Sequence, residues 1–194
     1  MAIKNSKTTA TYLEWDKMMT LIKKLEKDDE HKFMLLISIG SFFGIRISDI
    51  LKLKWSDLLD KEEIELSEKK TGKYRKIKVA QDLQAIITKA HQELKPKRDN
   101  QLIFLNKYGT QAFTVQYVNW RLKQIAKKYE LGIDFKSHVL RKTFGRKVYS
   151  MHKNEHALLL LSELFSHKTV AVTKRYLGLR EEELQSVYDK LSIY

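Results

Sequence analysis

Apolar residues recur at three- and four-residue intervals along most of the chain, the spacing that lays an apolar stripe on one side of an α-helix. Leu13, Met18, Leu21, Ile22 and Leu25 outline a first helix. Met34, Leu35, Ile37 and Ile39 lie on a second, almost wholly apolar one that ends near Gly44. Residues 47–53 predict a short third helix, opened by the loop that carries Arg46. The period then changes. Residues 63–79 alternate apolar and polar on either side of Lys70-Thr71-Gly72-Lys73, and a glycine in a polar tip between two alternating runs predicts a β-hairpin. Helical spacing returns at Leu83, Ile86, Ile87 and Ala90 and stops before Pro96, the only proline. Residues 101–105 predict one further short strand, residues 115–131 and 138–164 predict helices with short polar connections, and a last helix is expected over 181–191. Trp55, Trp120 and Phe144 are assigned to the core. His31, His91, His152 and His156 have no metal-like spacing with carboxylates and are read as surface residues. The expected fold is mainly α (α+β), a helical domain over residues 11–194 with a small antiparallel sheet at one edge and a tail at residues 1–10.

Charge narrows the class of partner. The 194 residues include 37 Lys and Arg against 24 Asp and Glu, a formal charge of +13. A surface of that sign attracts polyanions, and nucleic acid leads because each neutralised phosphate releases counterions whatever the base sequence. Scattered lysines can also serve solubility alone, so charge raises the expectation without deciding it. The absence of cysteine excludes disulfides, thiolate metal sites and a cysteine nucleophile. No apolar run has the length of a membrane span, and the first eleven residues lack a signal-peptide pattern, so no membrane partner is expected and the chain is read as cytoplasmic.

A few residues suggest chemistry on a phosphodiester. A transition state at phosphorus concentrates negative charge on the non-bridging oxygens, and converging cations and hydrogen-bond donors can stabilise it without a metal. Arg46 follows the apolar second helix in Gly44-Ile45-Arg46-Ile47-Ser48-Asp49-Ile50. His138 and Arg141 are offset by three residues, which puts them on one helical face. His167 and Tyr176 follow, nine residues apart. Each has an ordinary alternative when taken alone. Arg46 can pair with Asp49 or Asp57, His138 can cap a helix or sit in the core, and Tyr176 competes with Tyr149, Tyr188 and Tyr194 as a packing residue. Lys70 competes with Lys69 and Lys73 in the charged hairpin tip.

The order Arg46, Lys70, His138-x-x-Arg141, His167, Tyr176, with Arg46 in a G-x-R-x-S-[ED]-[LI] context, resembles the tyrosine recombinases, also called phage-type integrases, over nearly all of that family's catalytic domain. The resemblance implies a DNA strand-transferase that works without metal, ATP or other cofactor. Tyr176 would attack the scissile phosphate and hold a 3′-phosphotyrosyl intermediate. Arg46 and Arg141 would clamp the non-bridging oxygens. His138 would assist proton removal from Tyr176 or bind a phosphate oxygen, His167 would donate a hydrogen bond, and Lys70 would protonate the leaving 5′ oxygen. Double-stranded DNA is the implied partner, with phosphate contacts expected from Lys73, Arg75, Lys142, Arg146, Lys168, Lys174 and Arg175. Residues 180–194 would dock on a neighbouring protomer. Three departures from the family pattern stand out: Ser166 replaces the usual glycine before the second histidine, Lys142 replaces a common histidine, and the family's N-terminal helical domain is not found in these residues. Type IB topoisomerase action and non-catalytic DNA binding on the same scaffold are the competing readings.

Overall fold

A computed structural model of the chain describes residues 11–67, 72 and 74–189. Among the described residues its contacts gather into two compact units, a larger one that begins at Leu13 and ends at Phe144, and a smaller one that runs from Gly145 to Asp189 together with Thr11 and Tyr12. The boundary between the two units falls within the helix that carries His138 and Arg141.

The larger unit opens with α1 (Trp15–Lys27), α2 (His31–Phe43), α3 (Ile47–Ile50) and α4 (Trp55–Leu58). Then come β1 (Glu63–Ser67), β2 (Tyr74–Lys78), α5 (Gln81–Leu94), α6 (Val115–Lys128) and the first half of α7 (Ser137–His152). α1 is amphipathic and buries Met18, Leu21, Ile22 and Leu25, the stripe read from the sequence. α2 is apolar on all sides and is correspondingly buried along almost its whole length, packed by α1 and α5. It also runs close to α7, where a Cβ on Gly40 would stand 2.7 Å from a Leu140 methyl. The hairpin pairs β1 with β2 antiparallel, Ile64 opposite Ile77 and Leu66 opposite Arg75. Ile64 is buried, which turns the polar alternate residues to solvent.

In the smaller unit the second half of α7 is followed by α8 (Glu155–Phe165), α9 (Val170–Leu177) and α10 (Leu179–Asp189). Ala157, Leu158, Leu161, Phe165, Leu177 and Leu179 form its buried set. Gly145 lets them close up, since a Cβ there would lie 2.7 Å from Leu177 and 2.9 Å from Phe165.

Several expectations need correcting. Residues 101–105 form no strand; they make isolated bridges, Lys54 to Leu102 and Leu105 to Ala112, because the chain turns at once through Asn106, whose side chain accepts from the amides of Tyr108 and Thr110. Trp120 is 54% exposed rather than core. The buried face of α6 is taken by Val118, Leu122, Ile125 and Ala126, and position 120 lies on another side of that helix. His31 is buried, not a surface residue, at the start of α2. The helical stretch expected over 138–164 is broken at Lys153, which is left-handed, and Asn154, whose side chain caps α8 by accepting from the Ala157 amide at 2.8 Å. The short helix α4 has no counterpart among the expected elements; the Asp57 carboxylate accepts from the Lys54 amide at 2.8 Å and holds its first turn.

Candidate active site

In the larger unit the site begins where α2 stops. Gly44 ends that helix in the left-handed conformation at φ +59°, and a Cβ there would fall 2.2 Å from the Phe144 ring, so a side chain is excluded on both counts. The chain leaves this turn extended through Arg46, the N-cap of α3, which is half-buried. Arg141 is buried on α7 and its Nη1 donates to the Gly44 carbonyl at 2.7 Å. That bond ties the helix bearing Arg141 and His138 to the turn bearing Arg46, two residues further on. The same turn of α7 is pinned by Thr143, whose hydroxyl donates to the Leu13 carbonyl at 2.9 Å and accepts from the Leu13 amide at 3.1 Å.

His138 lies one turn before Arg141 with an exposed edge. Partial burial of the ring, reinforced by the nearby positive charges of Lys142 and Lys136, lowers its pKa from the ordinary histidine value. At neutral pH it is therefore held in the neutral form, able to accept a proton. The start of its helix is fixed by Asn119 of α6, whose side-chain oxygen accepts from the Ser137 amide at 2.9 Å. No sequence signal had singled out Asn119, because its partner lies in another helix.

The smaller unit places His167 and Tyr176. Ser166 is the C-cap of α8 at φ 52°, and this left-handed residue turns the chain so that the His167 amide donates back to the Ser162 carbonyl at 2.9 Å. A glycine is the residue that such a backbone favours, which accounts physically for the family's usual choice at this position. Thr169 then caps α9 through the Val172 amide. The His167 and Tyr176 rings meet edge to face with centroids 5.2 Å apart, and both lean on Phe165, at 5.4 and 5.5 Å. Beneath them Thr173 is fully buried, its hydroxyl 2.9 Å from His167 Nδ1 and 2.7 Å from the Ser162 hydroxyl. When the relay runs from Ser162 through Thr173 to Nδ1, the imidazole proton sits on Nε2, the form that donates to an anion while neutral. Sequence reading missed Thr173 and Ser162, whose only signal was a pair of hydroxyls on otherwise apolar helix faces.

The structure thus holds Arg46, His138 and Arg141 in the larger unit and His167 and Tyr176 in the smaller, while Lys70 lies outside the described residues. Of the expected phosphate contacts, Lys73 is also outside them. Lys168 and Arg175 are exposed and Arg75 is half-buried on β2. Lys142 is only 7% exposed, within a run of α7 in which Val139, Leu140, Arg141 and Thr143 are buried as well. Arg146 is engaged by Glu182 and by the Tyr12 hydroxyl, at 2.9 and 2.8 Å, with its guanidinium 4.3 Å over the Tyr12 ring. Lys174 is paired with Glu183 at 3.0 Å. Among the described residues no cluster of three or more His, Asp or Glu converges as metal ligands.

Known proteins share this arrangement of elements. The chain is 28% identical over 164 residues to the probable integrase/recombinase YoeC of Bacillus subtilis (strain 168), covering 84% of this chain and 86% of that protein. It is 26% identical to the tyrosine recombinase XerH of Campylobacter jejuni, covering 82% of this chain but 44% of that one. The chain spans about half the length of the Xer recombinases it matches. Among solved structures the XerA recombinase superposes with a TM-score of 0.73 at 22% identity, over 95% of this chain and 66% of that one. XerH bound to palindromic difH substrate, a post-cleavage complex, superposes with a TM-score of 0.68 at 23% identity, over 93% of this chain and 54% of that one. At these identities the structural likeness establishes the fold. The model of the phage integrase family matches residues 11–183, and on that match the chain belongs to the phage integrase family.

Proposed function

We propose that the chain is a site-specific DNA recombinase or integrase that cleaves and rejoins strands through a 3′-phosphotyrosyl bond at Tyr176, with neither metal nor nucleotide cofactor. The observation that carries this reading is the bond from Arg141 to the Gly44 carbonyl, which fastens the helix of His138 and Arg141 to the turn of Arg46 and so supports a phosphate seat built from these side chains. The names of its relatives, integrase/recombinase and tyrosine recombinase, support it.

The proposed step balances without an external reactant. Tyr176 Oη attacks phosphorus and loses its proton to His138 or to water, while the bond from phosphorus to the 5′ oxygen breaks. Lys70 supplies the proton that the leaving 5′ hydroxyl needs. Arg46 and Arg141 hold the non-bridging oxygens, for which a planar and permanently charged fork is suited. His167, oriented by Thr173, gives a further donor. Since the phosphotyrosyl ester keeps the energy of the broken bond, a 5′ hydroxyl from another strand can reverse the step.

Double-stranded DNA in the cytoplasm, at the nucleoid, is the proposed substrate, met by Lys168, Arg175 and Arg75. A second protomer is the proposed partner of residues 180–194. α10 carries Leu184, Val187 and Tyr188 exposed at helical spacing, an apolar stripe that suits packing against another molecule. Unchanged assembly on DNA after deletion of 180–194 would contradict that role. The reaction itself is tested with a suicide substrate, nicked so that the released 5′ end diffuses away. A denaturant-stable protein–DNA adduct is expected from the wild type and none from Tyr176→Phe; an adduct of equal yield in both would reassign the nucleophile.

A further inference from the structure

The larger unit carries a second feature that the phosphate chemistry does not use. A groove of about 710 Å³ is bounded by the start of α2, the turn at residues 106–113 and the first turns of α6. Its volume falls in the range of small-ligand sites, roughly 300–1,000 Å³.

Aromatic rings dominate the lining. Phe33 and Phe113 stack at 5.8 Å, Tyr117 lies 4.7 Å from Phe113, and Trp120 lies 5.9 Å from Tyr117. The series runs from buried to exposed, ending in Tyr117 and Trp120 with open ring surface. Exposed tryptophan and tyrosine side by side in a concavity are uncommon on a surface with no partner.

The charge of the groove is one-sided. Its one carboxylate, Glu30, is held by Arg121 through two bonds of 2.7 and 2.8 Å. Two ammonium groups remain, and neither meets a carboxylate among the described residues. Lys32 donates to the Leu105 carbonyl at 2.9 Å, lies 5.5 Å over the Phe113 ring and is partly desolvated, which lowers its pKa. Lys107 is exposed at the rim, 4.9 Å over Tyr108. A partly desolvated cation beside open aromatic faces calls for a ligand that is both anionic and flat.

We propose that this groove receives an unpaired nucleotide of the DNA strand, its base stacked on Tyr117 and Trp120 and its phosphate met by Lys32 and Lys107, a reading that rests on the DNA chemistry proposed above. Paired bases hide their faces against their neighbours and offer only edges. A concave aromatic surface therefore gains most from a base that has left the stack, and aromatic platforms beside cations are the general means of holding such bases. Strand transfer needs this service, because a cut strand must give up its pairing near the break before it can move to another duplex.

The test compares the affinity of the full chain for three probes: a fully paired duplex, the same duplex with one extrahelical 2-aminopurine, and the mononucleotide dAMP. The bulged duplex should bind roughly tenfold tighter than the paired one, and Trp120→Ala and Lys107→Ala should each erase most of that preference while leaving affinity for the paired duplex unchanged. Photo-crosslinking of the wild type to a bulge that carries 5-iodouracil should attach to Tyr117, Trp120 or Tyr108, a readout independent of whether any variant folds. Equal affinity for bulged and paired duplexes would overturn the proposal, as would an equal loss for both probes in the variants, which would make the groove an ordinary duplex contact. Binding of dAMP as tight as that of the bulge would overturn it in favour of a free-nucleotide site. Failure to bind any DNA would instead count against the recombinase reading.

Discussion

The guanidinium of Arg141 donates to the backbone carbonyl of Gly44 at 2.7 Å in the interior of the larger unit, joining positions 97 residues apart. A buried, charge-assisted bond of this kind contributes about 1.5–3 kcal/mol, and its geometry fixes where the proposed phosphate seat lies. The arginine is buried, so its direction is set by the fold before any ligand arrives, which is the condition for electrostatic preorganisation.

Gly44 should therefore be intolerant of change. Gly44→Ala adds left-handed strain to a clash with the Phe144 ring, and a loss of about 2–4 kcal/mol is expected in urea unfolding. DNA cleavage at a temperature where the variant is still folded should fall as well, since the turn that sets Arg46 must shift. A variant of wild-type stability would show that the α2 end yields more easily than its contacts indicate.

Ser166 should be replaceable with profit. It sits at φ 52° with a buried hydroxyl that has no hydrogen-bond partner among the described residues. Ser166→Gly relieves about 1 kcal/mol of backbone strain and about 1 kcal/mol of desolvation, against about 0.5–1 kcal/mol of added unfolded-state entropy. Thermal melts should show a net gain of about 1 kcal/mol; a lower melting temperature would mean that the hydroxyl has a partner in solution.

Thr173 offers a test of how His167 is held. Thr173→Val keeps the shape and removes both hydroxyl bonds, leaving His167 Nδ1 and Ser162 without that partner. A loss of about 1–3 kcal/mol of stability is expected, together with slower cleavage, while Thr173→Ser should keep most of both. Two-dimensional NMR of the imidazole nitrogens reads the tautomer directly: a single tautomer in the wild type and a mixture in Thr173→Val are expected. An unchanged tautomer in the valine variant would remove Thr173 from that role.

The lowered pKa of His138 makes a pH prediction with a definite sign. Its charged form is disfavoured in the folded state, so the unfolded chain binds more protons in the window from the ordinary histidine value, about 6.5, down to the lower folded one. Stability from this group is full above that window and is lost as pH falls through it. His138→Gln should remove that part of the pH dependence of the urea midpoint; a wild type and variant with parallel profiles would show that the ring titrates normally.

Much of this was legible in the chain because it was local. The helical stripe at Met18, Leu21, Ile22 and Leu25, the hairpin around Gly72 and the offset of His138 and Arg141 each follow from spacing along one element. The family resemblance likewise rests on short motifs. What escaped depends on contacts distant in sequence. Trp120 looked like core because tryptophan is large and apolar, but α6 already fills its inner face with Val118, Leu122, Ile125 and Ala126. Lys142 looked like a surface cation because lysine usually is, yet it stands within a buried run of α7. Asn119 and Thr173 carry no motif, and only the fold gives them Ser137 and His167 as partners.

The central claim is that the phenol of Tyr176 is the group that becomes joined to DNA. Its most direct test is mass spectrometry of the trapped adduct after digestion with protease and nuclease. A phosphonucleotide remnant on the peptide that contains Tyr176 is the expected result, and a remnant on Tyr149, Tyr188 or Tyr194, or on no tyrosine at all, would contradict it.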